Sequence, residues 1–120
     1  MSYDSQNIFA RILREEIPCK KVFENEVALA FHDVNPQAPV HVLLIPKGEY
    51  VSLDDFTAKA SAEEIAGFFQ TLGLVARKLN LVEAGYRILA NHGDEGGQEV
   101  PHFHVHLFGG KRLGRMLAQS

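Results

Sequence analysis

Ten residues near the C-terminus, Pro101 to Gly110, read Pro-His-Phe-His-Val-His-Leu-Phe-Gly-Gly. Three histidines, His102, His104 and His106, stand at alternate positions. On a β-strand, with its side-chain period of two, all three imidazoles project from one face. Phe103, Val105 and Leu107 project from the other, which suits a buried back. On a helix the same spacing spreads the imidazoles through about 400°. The intervening residues are aromatic or branched, so the run is predicted as a strand. Three readings compete for the cluster: histidines without a role on a half-exposed sheet face, a metal site, or acid–base and nucleophilic work on phosphorus. Imidazole is a common zinc ligand. It also titrates near neutral pH, so it is nucleophilic when neutral and a proton donor when charged. Spacing alone does not choose between the last two.

The elements that must position these groups are legible upstream. Asn91 to Val100, Asn-His-Gly-Asp-Glu-Gly-Gly-Gln-Glu-Val, leads into the histidines. Its glycines let backbone N–H groups turn towards one point, and such a nest suits an anion such as phosphate. This favours phosphorus, as does the absence of a carboxylate within the strand itself. Asp94 and Glu99 lie near enough in sequence to keep metal open. Val40 to Pro46 is an almost wholly apolar run and is predicted to be a central strand. His41 is its exception, and both a satisfied core histidine and a site role are open for it. Two shorter strands, Lys20 to Glu24 and Val27 to His32, form a hairpin about Asn25-Glu26. The second runs into Asp33 and a loop stiffened by Pro36 and Pro39. Tyr86 to Asn91 is the remaining strand.

Two helices complete the pattern. Asn7 or Ser5 caps a short one, with Ile8, Phe9, Ile12 and Leu13 on one face and Pro18 ending it. Ser61-Ala62-Glu63-Glu64 is a capping box opening the longest helix. Its apolar stripe is Ile65, Phe68, Phe69, Leu72, Val75, Ala76 and Leu79. Gly48 to Thr57 reads as a loop with one helical turn.

At 120 residues, with 46% hydrophobic residues, the chain suits one domain with a proper core. A net charge of −3 gives no argument for nucleic acid or a membrane surface. No apolar run approaches the roughly 20 residues of a membrane span, and the N-terminus lacks a signal-peptide pattern. The lone Cys19 forms no internal disulfide, which fits a reducing cytoplasm. It is read as structural.

His102-Phe103-His104-Val105-His106-Leu107-Phe108 resembles the histidine triad of the HIT superfamily. Asn7-Ile8-Phe9, the segment Phe31 to Pro39 (Phe-His-Asp-Val-Asn-Pro-Gln-Ala-Pro), His41 to Lys47 and Gly96 to Val100 resemble its Hint branch. The likeness runs from about Asn7 to Gly110, leaving 111–120 as a tail. It implies an α+β fold: a five-stranded antiparallel sheet with one long and one short helix, the sheet extended across a homodimer. It also implies hydrolysis of purine nucleoside phosphoramidates, such as AMP linked through nitrogen to an amine or lysine. That reaction passes through a nucleotidyl-histidine and needs neither metal nor cofactor. By this resemblance His104 is the nucleophile. His106 contacts phosphate and assists the leaving group, while His102 and His41 support the network. Asp33 accepts from the ribose hydroxyls. Asn91, Gly97, Glu99 and Val100 surround the phosphate. Ile8, Phe9, Ile12, Phe31, His32, Val34 and Leu43 shape the base pocket. Two positions depart from the pattern: Glu99 stands where many Hint proteins carry Ser, and Pro101 where Tyr is frequent. In that family the C-terminus helps form the partner subunit's leaving-group site. The alternatives are a dinucleoside polyphosphate hydrolase of the sister branch, a nucleotide-binding regulatory protein, and a zinc protein.

Overall fold

The computed structural model describes residues 2–117, so the last three residues of the tail lie outside it. Five strands form one antiparallel sheet: β1 (Lys21–Glu24), β2 (Ala28–His32), β3 (Val40–Pro46), β4 (Arg87–Leu89) and β5 (Val105–Gly109). Their spatial order is β1-β2-β3-β5-β4. The three helices are α1 (Ile8–Leu13), α2 (Leu53–Lys59) and α3 (Ala62–Lys78).

Period-two alternation divides the sheet between two cores. Ala28, Ala30, Val42, Leu44, Phe103, Val105 and Leu107 face Phe56 of α2 and Phe68, Leu72, Val75 and Ala76 of α3. Phe103 stacks on Phe56, with ring centroids 5.1 Å apart. Leu29, Phe31, Leu43 and Ile45 face the other way, against Phe9 and Ile12 of α1. β3 is buried on both faces, which is why it reads as an unbroken apolar run. Because α1 is short, it covers only part of its face. The uncovered part, over β3 and β5, carries the histidines.

Several boundaries differ from the sequence reading. The regular ladder of β5 starts at Val105, so His102 and His104 precede it. Upstream, the Phe103 N–H donates to Tyr50 O at 2.7 Å and the His102 N–H to Val100 O at 2.9 Å, so this stretch leaves the β3 ladder. The alternation nevertheless persists, with Phe103 in the core. β4 is three residues long rather than six. The expected loop at Gly48–Thr57 contains α2, capped by Ser52, whose side chain accepts from the Asp55 N–H. α1 is capped by Asn7 and ends well before Pro18, where Glu15 takes a left-handed φ of 63°. In α3 both bonds of the capping box form. Phe69, expected in the core stripe, is instead 42% exposed, because the stripe is narrower than the periodicity allows.

Candidate active site

Each imidazole has a tautomer set by its fixed neighbours. A carbonyl only accepts, so the nitrogen facing it must carry the proton. His104 Nδ1 lies 2.7 Å from His102 O and donates to it. In the neutral ring this leaves the Nε2 lone pair of His104 free. His102 Nε2 donates to Pro46 O at 2.9 Å, so its Nδ1 accepts from the Tyr3 hydroxyl at 2.6 Å. Across the ladder, Leu43 is opposite His106 and His41 opposite Phe108, so His41 and His106 are diagonal neighbours on one face. The Gln37 N–H donates to His41 Nδ1 at 3.1 Å. The proton of neutral His41 is therefore on Nε2, 3.0 Å from His106 Nδ1, which accepts it. His106 in turn carries its proton on Nε2, the nitrogen left for the cavity. Asp33 Oδ2 lies 3.3 Å from His41 Nε2, and Asp33 Oδ1 accepts from the Asn35 N–H.

Burial holds all four rings towards the neutral form. His102 is fully buried and pushed down to about 4, first by desolvation. His106 is likewise lowered to about 4 by desolvation, then by the neighbouring His104 and His41. Desolvation also lowers His104 and His41, against an upward pull on both from Asp33. A neutral His104 is what nucleophilic attack requires.

Two of these rings border a cavity of about 410 Å³, within the range of small-molecule sites. His104 and His106 line it, as do Asn91, Gly97, Glu99 and Val100. Its apolar side is Ile8, Phe9, Ile12, Phe31 and Leu43, with His32, Asp33 and Val34 at the edge. Phe9 meets the His104 ring in a T-shaped contact, centroids 4.9 Å apart. His102 and His41 are absent from this lining. His102 lies behind the cavity, and His41 borders an adjoining depression that also touches Asp33, Pro36 and Pro39. The triad therefore divides into two histidines at the cavity and one beneath it.

The glycine loop differs from a simple anion nest. The Gly97 N–H donates to Asp94 O and the Gln98 N–H to Gly93 O, both at 3.0 Å, so these amides close the loop itself. Among the described residues, the Glu99 and Val100 amides have no such partner. Gln98 braces the loop: its Nε2 donates to Val51 O at 2.6 Å and Val100 O at 3.1 Å, and its Oε1 accepts from the Gly93 N–H.

Metal ligation by the three triad histidines does not fit, because both nitrogens of His102 are engaged. The set Asp33, His41 and His106 brings one ligand atom from each within 4.8 Å of the others. Binding there needs the His41 Nε2 lone pair, which would move its proton to Nδ1 and break the bond from Gln37.

A family model described as HIT domain matches residues 14–113. The chain belongs to this family. It is 61% identical to a 13.2 kDa HIT-like protein of Azospirillum brasilense, over 99% of this chain and 98% of that one. It is 40% identical to the purine nucleoside phosphoramidase of Escherichia coli (strain K12), covering 96% of each chain. A solved HIT family hydrolase from Clostridium thermocellum matches with a TM-score of 0.86 at 35% identity, covering 95% of this chain and 99% of that chain. The α+β fold with five antiparallel strands is the HIT fold of these neighbours.

Three contributors to this HIT site were not singled out from the sequence. Gln37 acts through a backbone amide and Pro46 through a carbonyl, neither of which depends on side-chain type. Tyr3 is 99 residues from His102 and precedes every recognisable motif.

Proposed function

We propose that this protein is a nucleotide hydrolase of the HIT family that cleaves purine nucleoside phosphoramidates and releases AMP. The observation that carries the reading is the division of tautomers at the cavity. His104 presents a lone pair there, and His106 presents an N–H. The His104 Nε2 lone pair forms a bond to phosphorus as the bond from phosphorus to the amine nitrogen breaks. The departing nitrogen takes a proton through His106. Water then attacks phosphorus, the bond to His104 breaks with its electron pair returning to Nε2, and the water proton restores the network. Two easier displacements replace one hard one. An arriving phosphate anion opposes the desolvation of His106 and draws a proton onto the His41–His106 pair. A positioned acid of this kind contributes about 10²–10⁴-fold. The Glu99 and Val100 amides suit the phosphoryl oxygens, and Asp33 suits two ribose hydroxyls. The slot between Phe9, Ile12, Phe31 and Leu43 suits a flat base. No metal enters this scheme.

A homodimer in the cytoplasm accompanies the proposal. β4 is an edge strand, and Ile88 and Tyr86 are 46% and 43% exposed beside it. An apolar unpaired edge of this kind favours pairing with a second copy. Among the described residues, no helix is long and apolar enough to cross a membrane.

The test is AMP release from an AMP–lysine phosphoramidate by the protein and by His104→Ala, both treated with chelator. Turnover by the first and its loss in the second supports a histidine nucleophile. Absence of turnover in both, or turnover only with added zinc, overturns the proposal.

A further inference from the structure

The cavity that suits a phosphate is bordered by an acidic residue whose carboxylate forms no ion pair among the described residues. Glu99 lines it together with Asn91, Gly97, His104 and His106. Among the described residues it forms no salt bridge, whereas Glu16, Glu24 and Asp55 each pair with a Lys or Arg. Gln98, tied to Val51, Val100 and Gly93, fixes the backbone from which the exposed Glu99 side chain extends. Its charge is felt at the nucleophile: Glu99 pulls the His104 imidazole up against the larger downward effect of burial.

Topology sets which part of a substrate it meets. The cavity crosses the sheet. Pro18 and Cys19, which precede β1, bound one end, while Asn91, just past β4 at the opposite sheet edge, bounds the other. The apolar base slot lies towards the first end, over β2 and β3. Glu99 lies on the connection between β4 and β5, towards the second. With the nucleoside at the first end and His104 attacking phosphorus in line, the second end receives what is bonded to phosphorus beyond the nucleotide. A carboxylate beside the phosphoryl oxygens repels them. A carboxylate beside the leaving group attracts a cation.

We infer that Glu99 is a specificity residue for the leaving amine, selecting amines that carry a second, non-reacting ammonium over neutral amines of the same size. Diamines and amine side chains of that kind form the implied leaving-group class. The inference rests on the phosphoramidate reading above and adds to it the chemistry of the amine.

The experiment compares kcat/KM for two AMP phosphoramidates of equal length, one of 2-aminoethylamine and one of propylamine. The ratio for the unmodified protein is expected at about fivefold in favour of the cation at low ionic strength, shrinking with salt, as for a partly exposed charge pair. In Glu99→Gln the ratio falls to about one. In Glu99→Lys the preference moves to a 2-carboxyethyl amine. Reading ratios removes any common effect of the substitutions on folding or phosphate contact. If both substrates are cleaved with a ratio near one, or if Glu99→Gln leaves the ratio unchanged, the inference is overturned while the phosphoramidase reading stands. If neither is cleaved, both fall.

Discussion

Acidification should destabilise this protein before its carboxylates titrate, and the reason is His102. Its ring is fully buried between Tyr3 and Pro46, and desolvation takes it from 6.5 in an exposed histidine to about 4. The folded protein thus refuses a proton that the unfolded chain accepts. Where the unfolded state binds more protons, stability falls as pH falls. The loss begins near pH 6.5, grows through the window down to about pH 4, and then levels. Integrated from about pH 7.5 to about pH 5, this single group costs about 2 kcal/mol. His106, His104 and His41 are displaced in the same direction and add to it. Glu24, held at about 2 by Lys21 and then Lys47, acts only below its ordinary 4.5, outside the interval from about pH 7.5 to about pH 5. Urea unfolding followed by far-ultraviolet circular dichroism, at fixed protein concentration, measures the effect. The unfolding free energy should drop by at least about 2 kcal/mol between those pH values. A drop smaller than about 0.5 kcal/mol would refute the buried neutral assignment of His102.

Tyr3→Phe keeps the ring but leaves buried His102 Nδ1 without a donor, so a destabilisation of about 1–3 kcal/mol is expected in urea unfolding. A neutral result would mean that the hydroxyl does not hold the ring. Phe103→Ala removes a ring that is 1% exposed and packed against Phe56 and Phe68, and should cost about 3–5 kcal/mol by the same measurement. The acid limb of kcat/KM for AMP–lysine phosphoramidate should lie below 6.5, because burial lowers His104 and keeps it neutral further into acid. A limb at or above that value contradicts the geometry. Gly96→Ala places a Cβ 2.3 Å from His92 O, a backbone atom that cannot step aside. Turnover should fall by about tenfold or more as Glu99 and Val100 shift, since misplaced positioning groups cost up to about 10²-fold.

Alternation, capping and turn chemistry are local, and they made most of the fold legible. β3 was bounded at both ends by its apolar run, and the Ser61–Glu64 box placed the start of α3. The loss of Phe69 from the core and the early end of α1 at Leu13, followed by the left-handed Glu15, were not legible. The first depends on how far neighbouring elements extend over a helix, and the second on one residue's backbone angle. The seven residues of α2 bury only Phe56, which leaves no periodicity to mark a helix in the sequence.

At the site, the residue types that do chemistry came from the sequence itself. The spacing of His102, His104 and His106 required a common face on an extended chain, because a strand's period is covalent geometry. What those three rings do individually was decided by tertiary structure. A tautomer depends on the atom opposite each nitrogen. Those atoms are the Pro46 and His102 carbonyls, the Gln37 amide and the Tyr3 hydroxyl, some of them brought from far along the chain. Alternating histidines carry no record of such partners. Only the folded chain made His102 a buried support, His104 a free lone pair and His106 a donor backed by His41.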